Sequence, residues 1–358
     1  MFTLENDDLK NNVPAVRLWL LSICIVITLM VSIGGITRLT GSGLSITDWA
    51  PIMGAIPPLD SEGWNLAFAK YQNIPQFKLV NSSISLAEFK TLYFWEWFHR
   101  LVGRLIGFVV LIPGVILFAR KKITKRLAAR VAIGFLFGGA QGALGWFMVK
   151  SGLSERTSVS HFRLAAHLSL ALSILAYFVW LTRSVFVGQT QVKSDQEIAA
   201  RFLRGKFPWV ASLFGLQITY GAFVAGMKAG KAFNTFPLMA GSVIPSNFLS
   251  FEPAWLNFVE NPATVQWIHR SLGWAAFIVA NGLWIWILKL KTPRGEVRRI
   301  VTLLAHLTIF QFLVGVLTLV YAVPVALGVL HQFGAALIVM VLTLMAHTLK
   351  RFNASHTP

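Results

Sequence analysis

Cysteine is nearly absent from this chain: Cys24 is the one example in 358 residues. It sits in the first long apolar run, so there is no intramolecular disulfide and no CxxC metal or redox motif. A small packed core residue is its expected role. Acidic residues are also scarce, 14 against 32 Lys and Arg, and charge of both signs makes up only 13% of the sequence. With 55% aliphatic, aromatic and sulfur residues and a mean hydropathy of +0.64, this balance excludes an ordinary soluble globular protein. The polar stretch from Met1 to Asn12, with Glu5, Asp7 and Asp8, suits neither a signal peptide nor an Arg-rich transit peptide.

Long apolar sequence is abundant instead. Runs able to cross a bilayer fall at 17–37, 92–119, 128–149, 161–183, 207–227, 264–288, 300–322 and 325–349, predicting an all-α integral membrane protein with eight transmembrane helices. The formal charge of +18 does not point to nucleic acid, because most Lys and Arg lie in alternate connecting segments: 1–17, 120–130, 183–206, 289–299 and 350–358. Basic connections mark the cytoplasmic side. Both termini are therefore expected inside, with the bacterial plasma (inner) membrane as the simplest location. Segments 38–91 and 228–263 are then outside, and their Gly, Pro and Trp are those of packed structure.

Internal similarity divides the chain. Glu96-Trp97-Phe98-His99-Arg100-Leu101-Val102-Gly103 opens the second run, and Gln266-Trp267-Ile268-His269-Arg270-Ser271-Leu272-Gly273 opens the sixth. Arg163-Leu164-Ala165-Ala166-His167-Leu168 in the fourth is answered by Leu327-Gly328-Val329-Leu330-His331-Gln332 in the eighth, and Gln141 by Gln311. The segment from Gly34-Gly35 to Trp49-Ala50-Pro51-Ile52-Met53-Gly54 is echoed from Gly221 to Phe236-Pro237-Leu238-Met239-Ala240-Gly241. Two tandem, same-orientation four-helix bundles are expected, 1–195 and 196–358, joined around Gln189 to Glu197. Inverted-repeat transporters need the opposite parity of crossings.

Polar groups inside a membrane are costly and usually functional. His99, His167, His269 and His331 lie near the start of runs that all enter from one side, so each half presents two imidazoles at one depth across a bundle. A bare zinc ion wants a third or fourth ligand. The Phe, Trp, Leu and Gly surroundings favour an iron porphyrin with axial histidines, and Gly103, Gly107, Gly142, Gly145, Gly273 and Gly334 leave room beside the helices. Arg38, Arg100, Arg104, Arg163 and Arg270 lie near the same level as partners for propionates, with snorkelling to headgroups as the competing role. His306 and His347 lie toward the inner ends without repeat partners, and His356 is on the tail. His161, six residues before His167, is on the wrong face for ligation and belongs to the outer rim.

The halves differ three residues before each helix-opening histidine, with Glu96 in the first and Gln266 in the second. This spacing puts the side chain on the histidine's face, one turn outward. Only the carboxyl can accept and return a proton, so the first half reads as reactive and the second as a cofactor site. An ion pair with Arg100, four residues on, is the structural alternative for Glu96.

Several of these segments resemble the heme A synthases. They are Gly34-Gly35-Ile36-Thr37-Arg38-Leu39-Thr40-Gly41-Ser42-Gly43-Leu44-Ser45, the Glu96-x-x-His99-Arg100 signature, Gly145-Trp146-Phe147-Met148-Val149-Lys150-Ser151-Gly152-Leu153, Asn234-Thr235-Phe236-Pro237-Leu238-Met239 and Leu330-His331-Gln332. The likeness is to the proteobacterial and mitochondrial branch, since the cysteine pair of the Gram-positive branch is missing. The resemblance implies an enzyme that oxidises a methyl group of heme O to the formyl group of heme A, through an alcohol, for terminal cytochrome oxidases. It implies heme b on His269 and His331, the substrate site at His99 and His167, and Glu96 in catalysis. Implied partners are heme O synthase and oxidase assembly factors besides the lipid bilayer, and homo-oligomerisation stays open. The residues alone reach a duplicated diheme membrane protein with one acidic site. That description also fits a diheme b-type cytochrome taking electrons from quinol, or a heme carrier.

Overall fold

A backbone in hydrocarbon must satisfy its own hydrogen bonds, and an α-helix does so within one segment. In the computed structural model, which describes residues 13–48, 53–153, 157–187, 197–290 and 295–354, every long apolar run is helical. The helices are α1 (Pro14–Leu39), α2 (Ser61–Gln72), α3 (Pro75–Val80), α4 (Leu86–Ala119), α5 (Lys125–Gly152), α6 (His161–Val187), α7 (Glu197–Gly226), α8 (Ala229–Ala232), α9 (Pro262–Lys289), α10 (Glu296–Val320) and α11 (Val325–Ala354). All but α2, α3 and α8 are long and apolar enough to span a bilayer, giving the eight expected among the described residues. Part of the loop echo (Trp49 to Ile52), most of the expected joint (Gln189 to Gln196), Met1 to Asn12 and His356 lie outside the described residues.

Neighbour relations follow the sequence repeat. α1, α4, α5 and α6 pack in a ring in that order, and α7, α9, α10 and α11 form the matching ring. This fits two tandem bundles. They meet where α1 crosses α11 and where α6 meets α7 and α11. Lipid is as apolar as leucine, so close packing and polar contacts decide which helices pair. At the end bearing the basic connections, Glu296 on α10 accepts from Arg183 on α6, from Thr348 Oγ1 at 2.5 Å and from Arg351 at 3.3 Å. At the opposite, histidine-bearing end the two rings meet where His161 Nε2 lies 3.7 Å from Glu260 and its backbone packs against Gly226.

Two connections at the histidine end are structured. Leu44, Tyr71, Ile74 and Phe89 form a small core under α2, α3 and the start of α4. Around it Gln76 Nε2 donates to the Gly41 carbonyl at 2.9 Å and Tyr71 donates to Gln76 at 3.1 Å. The start of α4 carries a Ser85–Glu88 capping box. At α9, Asn261 Oδ1 accepts from Ala263 N and Thr264 N while its Nδ2 donates to the Asn247 carbonyl at 2.8 Å. Each loop is thus tied to the helix that carries a Trp-x-His-Arg motif.

Candidate functional site

That motif works as a clamp, built the same way twice. On α4, Arg100 donates to the carbonyls of Ile46 and Asp48, each at 3.1 Å, and Trp97 Nε1 donates to Ala55 O at 3.0 Å. On α9, Arg270 donates to the carbonyls of Phe233 and Thr235, each at 2.8 Å, and Trp267 Nε1 donates to Val243 O at 3.0 Å. A guanidinium's rigid fork suits two carbonyls two residues apart. The clamp draws the loop across the end of the helix one turn beyond the histidine.

The four histidines share a second repeated contact. A Cβ on Gly34 of α1 would stand 3.2 Å from His99 Nε2, and one on Gly145 of α5 would stand 3.2 Å from His167 Cε1. In the second ring, a Cβ on Gly221 of α7 would reach His269 Cε1 at 2.9 Å, and one on Gly315 of α10 would reach His331 Cε1 at 2.8 Å. Each imidazole therefore lies in a slot that any larger residue would fill. Of the glycines expected to leave room, Gly145 is one of these slots, and Gly334 clears Gln311, whose Oε1 would be 2.1 Å from a Cβ there. Gly103 and Gly273 admit Met30 and Gln217, Gly107 meets Phe135 at 3.9 Å, and Gly142 borders open space.

His269 and His331 face each other with ring centroids 6.5 Å apart and planes 85° apart. A metal about 2 Å from one nitrogen of each ring fits that separation. His269 Nδ1 donates to the Gln217 carbonyl at 3.1 Å, because a carbonyl only accepts, and this leaves Nε2 with its lone pair free. Gln311 Nε2 donates to the His331 carbonyl at 2.8 Å and lies 3.2 Å from His331 Nδ1. Gln141 likewise donates to the His167 carbonyl at 3.0 Å, but His167 Nδ1 is buried without a partner. Neither ring of the first pair has a hydrogen-bond partner among the described residues. No cluster of three or more His, Cys, Asp or Glu occurs among those residues, so each pair offers two ligands. Two imidazoles in glycine slots are a donor set that would hold the iron of a porphyrin.

Glu96 and Gln266 are both 2% exposed yet bonded differently. Glu96 Oε2 accepts from Ser45 Oγ and Ile46 N, each at 2.8 Å, and Oε1 pairs with Arg100 at 2.6 Å. The ion pair that the i,i+4 spacing allows is therefore present. Gln266 Nε2 donates to Phe233 O at 2.8 Å and its Oε1 has no partner.

Among the arginines, Arg38 has no hydrogen-bond or ion-pair partner among the described residues, and Arg163 stands over the Phe147 ring at 4.7 Å. Arg100 and Arg270 are committed to the loops, although Arg270 Nε stays undonated. His161 packs against the Phe162 ring and meets Phe223 edge-on between the two rings of helices, His347 contacts Ser184 and Trp180 at the basic end, and His306 bonds its own helix at Thr302. None of these three joins a histidine pair. The sequence pattern includes Gln332 only as part of Leu330-His331-Gln332, and does not single out Gln217, whose one signal is its place a turn before Gly221.

A family model for cytochrome oxidase assembly proteins matches residues 17–343. A heme A synthase of Parvibaculum lavamentivorans is 40% identical over 351 residues, 97% of this chain and 97% of that protein. Those of Rhodospirillum centenum and Azorhizobium caulinodans are 44% and 43% identical over 340 and 329 residues, covering 94% and 91% of this chain and 88% and 91% of theirs. With relatives this similar along nearly its whole length, the chain belongs to the cytochrome oxidase assembly protein family.

Proposed function

We propose that this protein is a heme A synthase, oxidising a methyl group of heme O through the alcohol to the formyl group of heme A for terminal cytochrome oxidases. An inequality between two matched sites carries the assignment. In the second pair the His269 ring is oriented by the Gln217 carbonyl beneath a glutamine, whereas neither ring of the first pair is held, beneath the carboxylate of Glu96. Oriented imidazoles suit a resident metal group, and unheld ones suit a substrate that enters and leaves. On this reading His269 and His331 hold heme b, and His99 and His167 receive heme O. When bound, heme b supplies a one-electron redox centre.

The chain's own residues then have distinct tasks. Glu96 accepts the proton released from the carbon being oxidised, or from an attacking water, and Ser45 Oγ at 2.8 Å offers that proton a way onward. Arg100 keeps the carboxylate and the loop in place. Arg38 and Arg163 supply cations for propionates, and Arg270 contributes its free Nε–H to the second site. The 1–195 bundle is the substrate unit and the 196–358 bundle the cofactor unit. The histidine end faces outward from a bacterial plasma membrane with both termini cytoplasmic, in keeping with the basic connections at the other end. Heme O synthase and oxidase assembly factors are its expected partners.

Pigment extraction after heme O supply tests the assignment. Wild-type protein should yield heme A beside heme B, and Glu96→Gln should accumulate heme O with heme B undiminished. Heme B alone from the wild type, or heme A at the wild-type rate from the variant, would overturn it.

A further inference from the structure

Beside the histidines, the two rings of helices share a contact that the repeat does not duplicate. Gln332 directly follows His331 on α11, and its side chain leaves its own ring. Nε2 donates to the Val31 carbonyl of α1 at 2.6 Å, while Oε1 would lie 3.0 Å from a Cβ on Gly35. Gly34, the preceding residue, is the slot for His99. A single turn of α1 therefore touches the first histidine pair on one side and the neighbour of the second pair on the other. A carbonyl has two lone pairs, so Val31 O can accept from Gln332 and still serve its own helix.

Glycines on both helices leave room for the side chains of this contact. A Cβ on Gly328, one turn before Gln332, would be 2.7 Å from Leu39 Cδ1. The counterpart crossing, α6 on α7, lacks the device. Leu168 stands at the position of Gln332, packed against an apolar core, and Ala222 stands at the position of Gly35. An apolar pair there transmits no directional contact, whereas an amide donated across a dry interface is lost by a small slip.

We propose that Gln332 is a positioning residue that couples the two histidine pairs, so that filling the first site alters the setting of His331 and the state of the second site alters binding at the first. Both directions follow from one contact, because coupling between sites is reciprocal. The inference rests on the heme reading of both pairs.

The test is the midpoint potential of the b-type heme in purified full-length protein, measured before and after adding heme O. In wild type the potential should shift on addition. Gln332→Leu, which installs the residue used by the first half, should retain heme b and lose the shift. Gly35→Ala should lose it too, by displacing the same amide, and serves as the sole test if Gln332→Leu does not assemble. A purely structural role would lower heme content or melting temperature without removing the response. Either variant responding to heme O as wild type does would overturn the proposal.

Wild-type protein without any b-type heme would instead defeat the functional reading. The contact itself is then read from heme-free protein. The melting shifts of Gln332→Leu and Gly35→Ala should fall short of adding in the double variant, because they act on one contact. Full additivity would count against it.

Discussion

The two halves share their scaffolding and differ in what surrounds their histidines. Both have a glycine behind each imidazole, a Trp and an Arg clamping a loop, and a glutamine on the carbonyl of the second histidine. They part at several places. Met30 stands where Gln217 stands, Glu96 where Gln266 stands, and Leu168 where Gln332 stands. Gly142, with nothing within 4 Å of its Cβ direction, stands where Phe312 packs on Trp274 and Phe277. Contacts to backbone carbonyls are thus largely shared, while the side chains around each histidine pair differ.

Removing one histidine from each half should separate the two most clearly. His269→Ala should abolish the b-type absorbance while the helical circular dichroism persists. His99→Ala should keep that absorbance and abolish conversion of heme O. Equal loss of heme b from both variants would mean that the halves do not divide the work.

A large effect is also expected at the clamps. Arg100→Ala strands the buried Glu96 carboxylate and should cost about 3–5 kcal/mol of stability. Arg270→Ala, which strands only carbonyls, should cost about 1–3 kcal/mol. Chemical denaturation compares them, and equal costs would show that the ion pair adds nothing. Adding Glu96→Gln to Arg100→Ala should recover part of the loss.

Gly315→Ala should follow, since its Cβ would be 2.8 Å from His331 Cε1 and overpacking costs about 1–3 kcal/mol. Reduced heme b retention should report it, while Gly34→Ala, meeting His99 at 3.2 Å, should leave heme b in place and weaken heme O binding. The smallest change is expected from Gly142→Phe, which makes the first half as full as the second. Its ring has open space, so the fold should persist, and heme O turnover should fall at least about tenfold with heme b intact. Unchanged turnover would separate that space from the substrate.

The eight spans were legible because length and hydropathy suffice for them. Some ends were not. α4 begins at Leu86, ahead of the apolar run expected from 92, although the Ser85-x-x-Glu88 box marks its start. α7 begins at Glu197, ten residues before its apolar run, because Arg201, Arg204 and Lys206 hide the helical period. The short α2 and α3 carried weaker cues in the Asp60 cap and Pro75. At the site, the four histidines and the Glu96–Arg100 pair could be read because their partners lie at fixed helical spacing or repeat. The carbonyls that accept from Arg100, Arg270, His269 and Gln332 could not, since a bond to a distant backbone atom leaves no pattern in residue type. Two arginines expected at propionates are thereby largely occupied by loops.

The ion cluster around Glu296 bears on how the protein is made. Arg183 closes the fourth span, but its carboxylate arrives with the seventh, and Thr348 and Arg351 arrive only with the eighth. Val31 on the first span likewise meets Gln332 on the last. During synthesis the early helices therefore stand in the bilayer with these partners missing, and the newest segment to leave the ribosome is the one that locks the oldest.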